Sequence, residues 1–569
     1  MRKYLNIELA DRRVETKELH GEDISRAGRY LIAKTLLAEG VATVEPLSGD
    51  NPLMFSAGPF AGTNMSNGNR LSVGCKSPLT GGIKESNVGG TFAVALGHLG
   101  LAGFTLRGIS NGWQIIHFAK DGEITFHDAA PYMGKGTFET ATMLHEKYGK
   151  KISLGICGPV GEYQGLIAGI SFSDRENRPV RLAGRGGVGA VLGSKKVKAI
   201  VVEMDRMPAL HDKKKTIATV RDYAAKLEAE PAVQNMKKLG TAMVADMTNY
   251  TGGLPVRNFR GGQFVDIDKG TLLLGGQHIY ERNVERGGDP SHACMPGCVI
   301  KCSNIYVDKD GKEMVSPLEY ETLCLMGSNC GIADPDDVAR LNNIANDLGI
   351  DTIETGATLG ILMDHGQAEF GDVDFMARSL DDIAKGNENG RLLAMGTARV
   401  GEHYGIKRVP VIKKQALSAY DPRVIEVTAI SMMVTAQGAD HTVGNLPAFE
   451  CADKSVEELA QQSFDIQVHS AIADSFGLCV FGRSVTNTHH LLIADGINNA
   501  HGTDIDPAFI WKIGVDTLRL EKQFNQAAGF TEKDDELPEF FHAEALPPTQ
   551  RKARLHAKEV NQYINDLIG

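Results

Sequence analysis

The sequence lacks any long apolar run. Among its 569 residues, no stretch approaches the ~18 uninterrupted apolar residues that a membrane-spanning helix needs. The first ten residues contain no apolar signal core, and the twin arginine at 12–13 is followed by a polar segment rather than an export signal. We therefore expect a soluble, cytoplasmic protein with no membrane span.

An excess of basic residues is also missing. Lysine and arginine total 60 against 71 acidic residues, which gives a formal net charge of −11. This balance argues against nonspecific binding of nucleic acid, which needs a basic surface. Hydrophobic residues make up 42% of the chain, so a sizeable core is available and whole-chain disorder is not expected.

Glycine is abundant, and the local patterns change along the chain. Glycine accounts for 64 residues, above the usual ~7%. The first part is rich in short strand patterns, with a hairpin over 113–126 that turns at Asp-Gly, and with helices at 22–39 and 136–148. After Pro208, apolar spacing of the helical type predominates. It predicts helices at 210–240, 335–349, 378–405, 455–475 and 507–529, with an irregular glycine-rich segment at 251–290.

These patterns predict an α+β fold class. We expect a β-rich N-terminal domain at 1–207, followed by two mainly α-helical domains at 208–405 and 406–569. At ~150 residues per domain, three domains agree with the length.

The nine cysteines provide the strongest local signal. Cys294, Cys298 and Cys302 lie within nine residues, and such soft ligands suit zinc or an iron–sulfur cluster, a [4Fe–4S] cluster above all. The best remote candidate for a fourth ligand is Cys479. Three buried thiols without a metal remain an alternative. The other cysteines are isolated, and we interpret them as ordinary buried thiols.

Two glycine-rich loops could hold an anionic ligand. Gly184, Gly186 and Gly189 form a G-x-G-x-x-G pattern, but the segment before it is polar and the next strand follows too soon for a dinucleotide-binding fold. Its backbone N–H groups, together with Arg181 and Arg185, still suit an anion.

The second glycine-rich loop contains Asn87, Gly89 and Gly90 and leads into a helix whose N-terminus can hold a phosphate. Arg70 and Lys76 lie just upstream. Each loop alone is more often a turn, but two in one domain with four nearby cations favour an extended multi-phosphate cofactor.

With these residues in view, the chain resembles the tungsten-containing aldehyde:ferredoxin oxidoreductase family from the N-terminus to about residue 530. The resemblance is carried by the segments 57–63, 76–81, 87–90, 183–195, 319–321, 347–352, 419–423 and 474–479. It implies tungsten, or molybdenum, held by two pterin dithiolenes, with magnesium bridging the pterin phosphates. It also implies a [4Fe–4S] cluster that passes electrons to ferredoxin or a small iron–sulfur subunit.

The resemblance also implies roles for individual residues. The cluster ligands would be Cys294, Cys298, Cys302 and Cys479. The acid–base residues beside the metal would be Glu321 and His441, although either alone would pass for an ordinary surface or loop residue. Residues of the two glycine loops and of two further loops would bind the pterins: Arg70, Lys76, Asn87, Gly89, Gly90, Arg181, Ala183, Gly184, Arg185, Gly186, Asn346, Ile350, Asp351, Asp474 and Leu478.

The chain departs from the family pattern at several positions. Ser291 stands where related chains have the first cysteine, so Cys302 would take its place. Asn346 replaces an aspartate. Arg340 stands where some homodimeric members have a glutamate that binds an interface iron, so we expect that iron to be absent and leave homo- or hetero-oligomerisation open.

These residues imply oxidation of an aldehyde to a carboxylic acid. Glu321 would act as a general base on water or the hydrated aldehyde, and His441 would polarise the carbonyl or move a proton. Three alternatives stay open. They are a low-potential reductase acting on an acid with a separate electron-transfer subunit, a non-catalytic iron–sulfur protein, and a zinc-stabilised binding protein.

Overall fold

The computed structural model describes residues 1–568 and confirms the α+β class. Two six-stranded sheets lie in the first 203 residues, and helices dominate the rest of the chain. In this described part, no helix is both long enough and apolar enough to cross a membrane.

Each of the two large sheets contains parallel and antiparallel strand pairs, and each is formed by six strands that are consecutive in the sequence. The first has the strand order β2-β1-β6-β3-β4-β5 and comprises β1 (Arg2–Glu8), β2 (Arg13–Leu19), β3 (Leu53–Ala57), β4 (Leu71–Lys76), β5 (Ile83–Val88) and β6 (Leu101–Arg107). The second has the order β11-β10-β9-β12-β7-β8 and comprises β7 (Gln114–Phe118), β8 (Ile124–Asp128), β9 (Ile152–Cys157), β10 (Ile170–Phe172), β11 (Arg181–Ala183) and β12 (Val197–Glu203). Three short strands, β13 (Asp289–His292), β14 (Ser303–Val307) and β15 (Glu313–Val315), form a third sheet, and β16 (Val411–Ile412) pairs with β17 (Gln415–Ala416).

A cluster of phenylalanines joins the two large sheets. Phe55 stacks on Phe104 with ring centroids 4.5 Å apart, and Phe92 meets Phe172 edge-on at 5.0 Å. All four are buried. Offset and edge-on aromatic pairs add to the free energy of apolar burial, so this core gives the two sheets a defined packing.

Helices surround the sheets and form the remainder of the chain. Five lie in the β-rich part: α1 (Gly28–Ala38), α2 (Phe92–His98), α3 (Thr137–Tyr148), α4 (Pro159–Glu162) and α5 (Val188–Ser194). Seventeen follow it: α6 (Lys213–Ala229), α7 (Pro231–Leu239), α8 (Met243–Thr251), α9 (Gly276–Glu285), α10 (Tyr320–Thr322), α11 (Pro335–Leu348), α12 (Thr352–Asp364), α13 (Val373–Lys385), α14 (Glu388–Leu393), α15 (Thr397–His403), α16 (Glu426–Val434), α17 (Val456–Phe476), α18 (Arg483–Thr486), α19 (His490–His501), α20 (Pro507–Ala527), α21 (Glu539–Ala543) and α22 (Ala557–Ile568).

Several sequence-based boundaries need correction. The helix expected at 378–405 is three helices, α13 to α15, because Gly386 and Gly396 adopt positive φ angles of 60° and 88° between them. The segment 251–290, expected to be irregular, contains α9. The helix expected from residue 22 begins at Gly28, after a 3₁₀ turn at Gly21–Ile24. Pro231 divides the pattern at 210–240 into α6 and α7.

The end of α17 lies directly against the first sheet. A Cβ on Gly58 would lie 2.0 Å from the carbonyl oxygen of Phe476. The two backbone segments therefore approach more closely than a side chain at position 58 would allow. Gly477 then ends α17 in the left-handed conformation, with φ 68°. This turn carries the segment around Cys479 back to the β-rich part, where the Cys479 N–H donates to Asn67 O at 2.8 Å.

Candidate active site

A cavity of about 380 Å³ opens between the β-rich part and the helices. Its walls come from β5, β11, α8, α10 and α17, among other elements. Of the residues expected to form the site, eleven line this cavity: Arg70, Asn87, Gly89, Arg181, Cys294, Cys302, Glu321, Asn346, His441, Asp474 and Cys479.

The cysteine motif occupies the turn between two strands of the small sheet. Cys294 follows β13 and Cys302 immediately precedes β14, so the motif forms one wall of the cavity. Burial raises the pKa of Cys294 to about 12, and the neighbouring thiols Cys298 and Cys479 add to the increase. Four thiols from two distant segments therefore share one electrostatic environment. As thiolates they would need a cation to compensate their charge.

The sulfur atoms are not grouped tightly enough for one small ion. In the described residues, no three of the four sulfur atoms lie within 4.8 Å of one another. A tetrahedral zinc with Zn–S bonds of ~2.3 Å would bring thiolates to about 3.8 Å, so three of these sulfurs would have to move closer together to bind it.

Arg70 connects the cysteines to the glycine loop. Its Nη1 lies 4.0 Å from Cys479 Sγ, and its Nη2 donates to Asn87 O at 3.2 Å. A Cβ on Gly89 would lie 3.2 Å from Cys294 Sγ, so glycine keeps the loop close to the cysteine wall. The guanidinium of Arg70 and the backbone at Gly89, which has no side chain, therefore face the same part of the cavity.

Four buried polar atoms of residues that line the cavity have no hydrogen-bond partner among the described residues. They are Nε of Arg181, Nδ2 of Asn346, Oε1 of Glu321 and Nδ1 of His469. Because an unpartnered buried polar atom costs ~1–3 kcal/mol, a polar ligand in the cavity would relieve this cost. The donors, the cysteines and the bare glycine loop fit an anionic, polar cofactor together with a metal cluster.

The glycine loop at 183–187 does not face the cavity. Arg185 is already engaged: its Nε lies 3.3 Å from Asp351 Oδ2, and its terminal nitrogens donate to Ser418 Oγ, Ala439 O and Ala416 O. Its guanidinium therefore joins the β-rich part to the segment beside the Glu321–His441 pair. Ala183, Gly184 and Gly186 belong to the same loop and, like Arg185, lie behind the cavity wall.

Other expected cofactor residues have structural partners. The Lys76 ammonium donates to the carbonyls of Ala42 and Val44 at 2.7 and 2.9 Å, away from the cavity. Asp351 caps α12 by accepting from Ile353 N at 2.9 Å. Ile350 and Leu478 are fully buried.

Glu321 and His441 meet on the cavity wall although 120 positions separate them. His441 Nε2 lies 3.5 Å from Glu321 Oε1, while Glu321 Oε2 accepts from Ala419 N at 3.0 Å. Burial raises the pKa of Glu321, and His441 and the Ala419 N–H offset only part of this effect. One oxygen of the carboxylate is thus fixed by the backbone, and the other is free to accept a proton.

His441 is oriented from its other side. Arg185 Nη1 donates to Ser418 Oγ at 3.1 Å, and Ser418 Oγ lies 2.8 Å from His441 Nδ1. Ser418 Oγ can accept from Arg185 and still either donate to Nδ1 or accept from it, so the contact fixes the orientation of the ring in either tautomer. In this orientation Nε2 faces Glu321.

A buried ion pair stabilises the same region. Lys84 pairs with Asp440, the residue before His441. Burial alone would raise the pKa of Asp440, but the charges of Lys84 and Arg185 overcome it and hold this pKa well below its ordinary value. Asp440 is therefore a fixed negative charge behind the histidine.

Sequence reasoning missed three residues of this site. Tyr420 stacks near His441, with ring centroids 5.6 Å apart, and Ser418 orients the histidine. Both lie in or beside the quoted segment 419–423, so that motif could have revealed them. Arg483, on α18, lines the cavity without any sequence signal.

Gly90 provides a test of the loop beside the cysteines. Its φ is 108°, and a Cβ would lie 2.5 Å from Ser173 O. We expect Gly90→Ala to destabilise the fold by about 1–3 kcal/mol and to lower the content of bound cofactor. Thermal unfolding and metal analysis measure the two effects. Gly100→Ala is the control, because Gly100 has φ 71° with no atom within 4 Å of a Cβ; an equal loss in both variants would contradict the proposed contact.

Comparison with known proteins is consistent with this geometry. Residues 4–204 match the model of the aldehyde ferredoxin oxidoreductase N-terminal domain, and residues 218–567 match that of aldehyde ferredoxin oxidoreductase domains 2 and 3. The chain is 30% identical to the tungsten-containing aldehyde ferredoxin oxidoreductase of Pyrococcus furiosus, over 100% of this chain and 96% of that protein. It is 32% identical to the enzyme of the same name from Pyrococcus horikoshii, over 91% and 87% of the two chains.

More distant relatives carry other names. The chain is 26% identical to the aliphatic sulfonate oxidoreductase, WOR-like subunit, of Pyrococcus furiosus, over 99% of this chain and 94% of that protein. A solved structure, the active site complex BamBC of benzoyl coenzyme A reductase with 1,5-dienoyl-CoA, matches with a TM-score of 0.84 at 20% identity, over 100% and 95% of the chains. That likeness concerns the fold.

Proposed function

Because the chain belongs to the aldehyde ferredoxin oxidoreductase family, we propose that it oxidises an aldehyde to a carboxylic acid at a bis-pterin tungsten centre. Electrons would leave through a [4Fe–4S] cluster to ferredoxin or a similar iron–sulfur protein. The observation that carries the proposal is that one cavity is lined by three of the four cysteines, by Asn87 and Gly89 of the second glycine loop, and by the Glu321–His441 pair.

The residues present fit both groups. Cys294, Cys298, Cys302 and Cys479 would hold the cluster. Polar side chains of the cavity would hold the pterins, chiefly the donors Arg70, Asn87, Arg181 and Asn346 and the acceptor Asp474. A tungsten–pterin centre held there would supply two-electron redox chemistry, and a cluster held by the cysteines would supply one-electron transfer.

The side chains of the protein itself would accept and donate the protons of the reaction. Conversion of R–CHO and water to R–COOH releases two electrons and two protons. Glu321 Oε1, which has no hydrogen-bond donor of its own, would accept a proton from the attacking water or hydrate. The N–H at His441 Nε2 would donate to the substrate oxygen, and Ser418 holds the ring in this orientation.

Elemental analysis of anaerobically purified protein, with acid-labile sulfide measured on the same sample, tests the proposal. We expect about one tungsten or molybdenum and four irons per chain, and reduction of a viologen dye by aldehydes. A sample that contains zinc but no acid-labile sulfide would contradict the proposed [4Fe–4S] cluster. Additional iron would contradict the expectation at Arg340, which pairs with Asp337 at 3.6 Å on α11. Turnover only in the reductive direction would favour the reductase alternative.

An unpaired arginine indicates the substrate class. Burial lowers the pKa of Arg483, and only Tyr420 and Cys479 oppose this effect; within residues 1–568 no carboxylate contributes. Among the described residues, the one hydrogen bond of its side chain is from Nη1 to Asn445 O at 2.5 Å. A half-buried guanidinium on the wall of the cavity favours an aldehyde that carries its own anionic group.

The Arg483→Met variant tests this preference. We expect a ~10–100-fold lower kcat/KM for a short aldehyde bearing a carboxylate, because a hydrogen bond to a charged group contributes ~1.5–3 kcal/mol. A neutral aldehyde of equal length is the control and should change little. Arg483→Lys should restore part of the preference. Equal losses on both substrates would remove the anion-recognition role.

The pH profile tests the ionisation of Glu321. Burial raises the pKa of Glu321, and the base must be ionised to accept a proton. The kcat/KM should therefore fall as the pH drops through a value above that of an ordinary glutamate. Iron content measured after each exposure controls for cluster loss. A kcat/KM that stays constant as the pH falls to the pKa of an ordinary glutamate would argue against Glu321 as the base.

A further inference from the structure

Three potential metal ligands meet in the C-terminal segment, away from the cavity. Glu536 follows a 3₁₀ turn, His542 lies on α21, and His556 immediately precedes α22. One ligand atom from each lies within 4.8 Å of the others. Glu536 Oε1 is 3.3 Å from His542 Nε2 and 3.7 Å from His556 Nδ1.

The hydrogen bonds around His542 leave a lone pair directed at the carboxylate. His542 Nδ1 lies 3.1 Å from Ala553 O, and because a carbonyl only accepts, Nδ1 carries the proton. In the neutral ring Nε2 then has a lone pair, and it is buried without a hydrogen-bond partner. Two electron-rich atoms 3.3 Å apart require a proton or a cation between them.

The surrounding contacts resemble those of metal ligands. A histidine that binds a metal usually donates its other N–H to a carbonyl or carboxylate, as His542 does to Ala553. Glu536 is oriented in the same way, since its Oε2 accepts from Ala557 N at 3.0 Å. Tetrahedral zinc with bonds of ~2.0–2.1 Å places neighbouring ligand atoms about 3.3 Å apart, close to the two carboxylate–imidazole distances.

In a second group of potential ligands in the described chain, the carboxylates are already paired with a cationic side chain. Asp174, Glu176 and His292 also place ligand atoms within 4.8 Å. There Arg178 supplies the cation, with ion pairs to both Asp174 and Glu176. The ion pairs of Glu536, in contrast, involve only the two histidines.

We propose that Glu536, His542 and His556 bind a zinc ion that joins the last three elements of the chain, with solvent as the fourth ligand. The His542 and His556 rings stack at 4.4 Å and 10°, so one ring must turn to aim its nitrogen at a shared ion. His556 is the one free to do so, because its side chain is 61% exposed. The site would brace the segment that packs Phe541 against Phe259.

Equilibrium dialysis of the complete, metal-loaded enzyme against zinc chloride tests the site. We expect one added zinc per chain and an unfolding temperature that rises with zinc concentration. His542→Ala and His556→Ala should each weaken zinc binding at least ~10-fold. His365→Ala is the matched control, since His365 is exposed and belongs to neither group of potential ligands, and this variant should bind zinc as the unaltered protein does.

X-ray absorption at the zinc edge identifies the ligands even when iron and tungsten are present. We expect nitrogen and oxygen neighbours at ~2.0–2.1 Å and none at the ~2.3 Å of sulfur. A sulfur shell would place the ion on cysteines and overturn the proposal. Failure to take up zinc at millimolar concentration would also overturn it, and would identify a proton as the group between His542 and Glu536.

Discussion

Replacing Glu321 by glutamine is expected to lower turnover by about 10²–10⁴-fold while iron and tungsten contents stay unchanged. Glutamine has the same shape, and its carbonyl oxygen can still accept from Ala419 N, as Glu321 Oε2 does at 3.0 Å. It cannot take up a proton at neutral pH. Steady-state rates with a viologen dye, normalised to bound tungsten, measure the effect.

Glu319→Gln is the matched control for this experiment. Glu319 lines the same cavity two positions earlier, and burial raises its pKa as well, with Arg181 and Arg70 opposing the increase. We assign Glu319 no proton transfer, so its variant should retain most activity. Full activity in Glu321→Gln, or equal losses in the two variants, would refute the role of Glu321 as the base.

Replacing Cys479 by serine is expected to abolish the cluster and, with it, electron transfer to ferredoxin. A serine hydroxyl is a poor substitute for a thiolate on iron, and Cys479 would be the ligand that connects the end of α17 to the motif at 294–302. We expect loss of about four irons and of the acid-labile sulfide, together with activity reduced to the background. Iron, sulfide and tungsten measured on one sample distinguish cluster loss from general unfolding.

Cys330→Ser is the matched control for the cysteine variants. Cys330 is fully buried, and its Sγ donates to Leu325 O and Gly356 O at 3.3 Å, so a hydroxyl keeps two acceptors. This variant should retain its iron. Cys302→Ser tests the ligand assignment itself: if its cluster persists with full sulfide, Cys302 is not the residue that replaces the missing cysteine at Ser291.

Local sequence patterns determined the elements that depend on neighbouring residues alone. The hairpin expected at 113–126 corresponds to β7 and β8, and the helices expected at 335–349, 455–475 and 507–529 correspond to α11, α17 and α20. Alternation, apolar spacing and capping residues act over a few positions, so a single segment contains the necessary information. The clustering of Cys294, Cys298 and Cys302 is visible for the same reason.

The resemblance to a family added what local patterns could not. Neither Glu321 nor His441 has a sequence context that marks it as catalytic, and only the family match selected them. Cys479 was already the best remote candidate for a fourth ligand, and the resemblance supported its assignment to the motif that begins 185 positions earlier. The roles of these residues remain predictions for the experiments above.

Only the tertiary structure decided how these residues meet. Glu321 faces His441 because α10 packs beside the segment at 416–420, whose backbone holds the carboxylate and whose Ser418 orients the imidazole. The structure also engaged Arg185 in an internal network and placed Arg483 on the cavity wall. The central contacts join distant positions, 120 residues apart for Glu321 and His441 and 233 for Arg185 and Ser418. Their free energy depends on burial and partners that no local pattern contains.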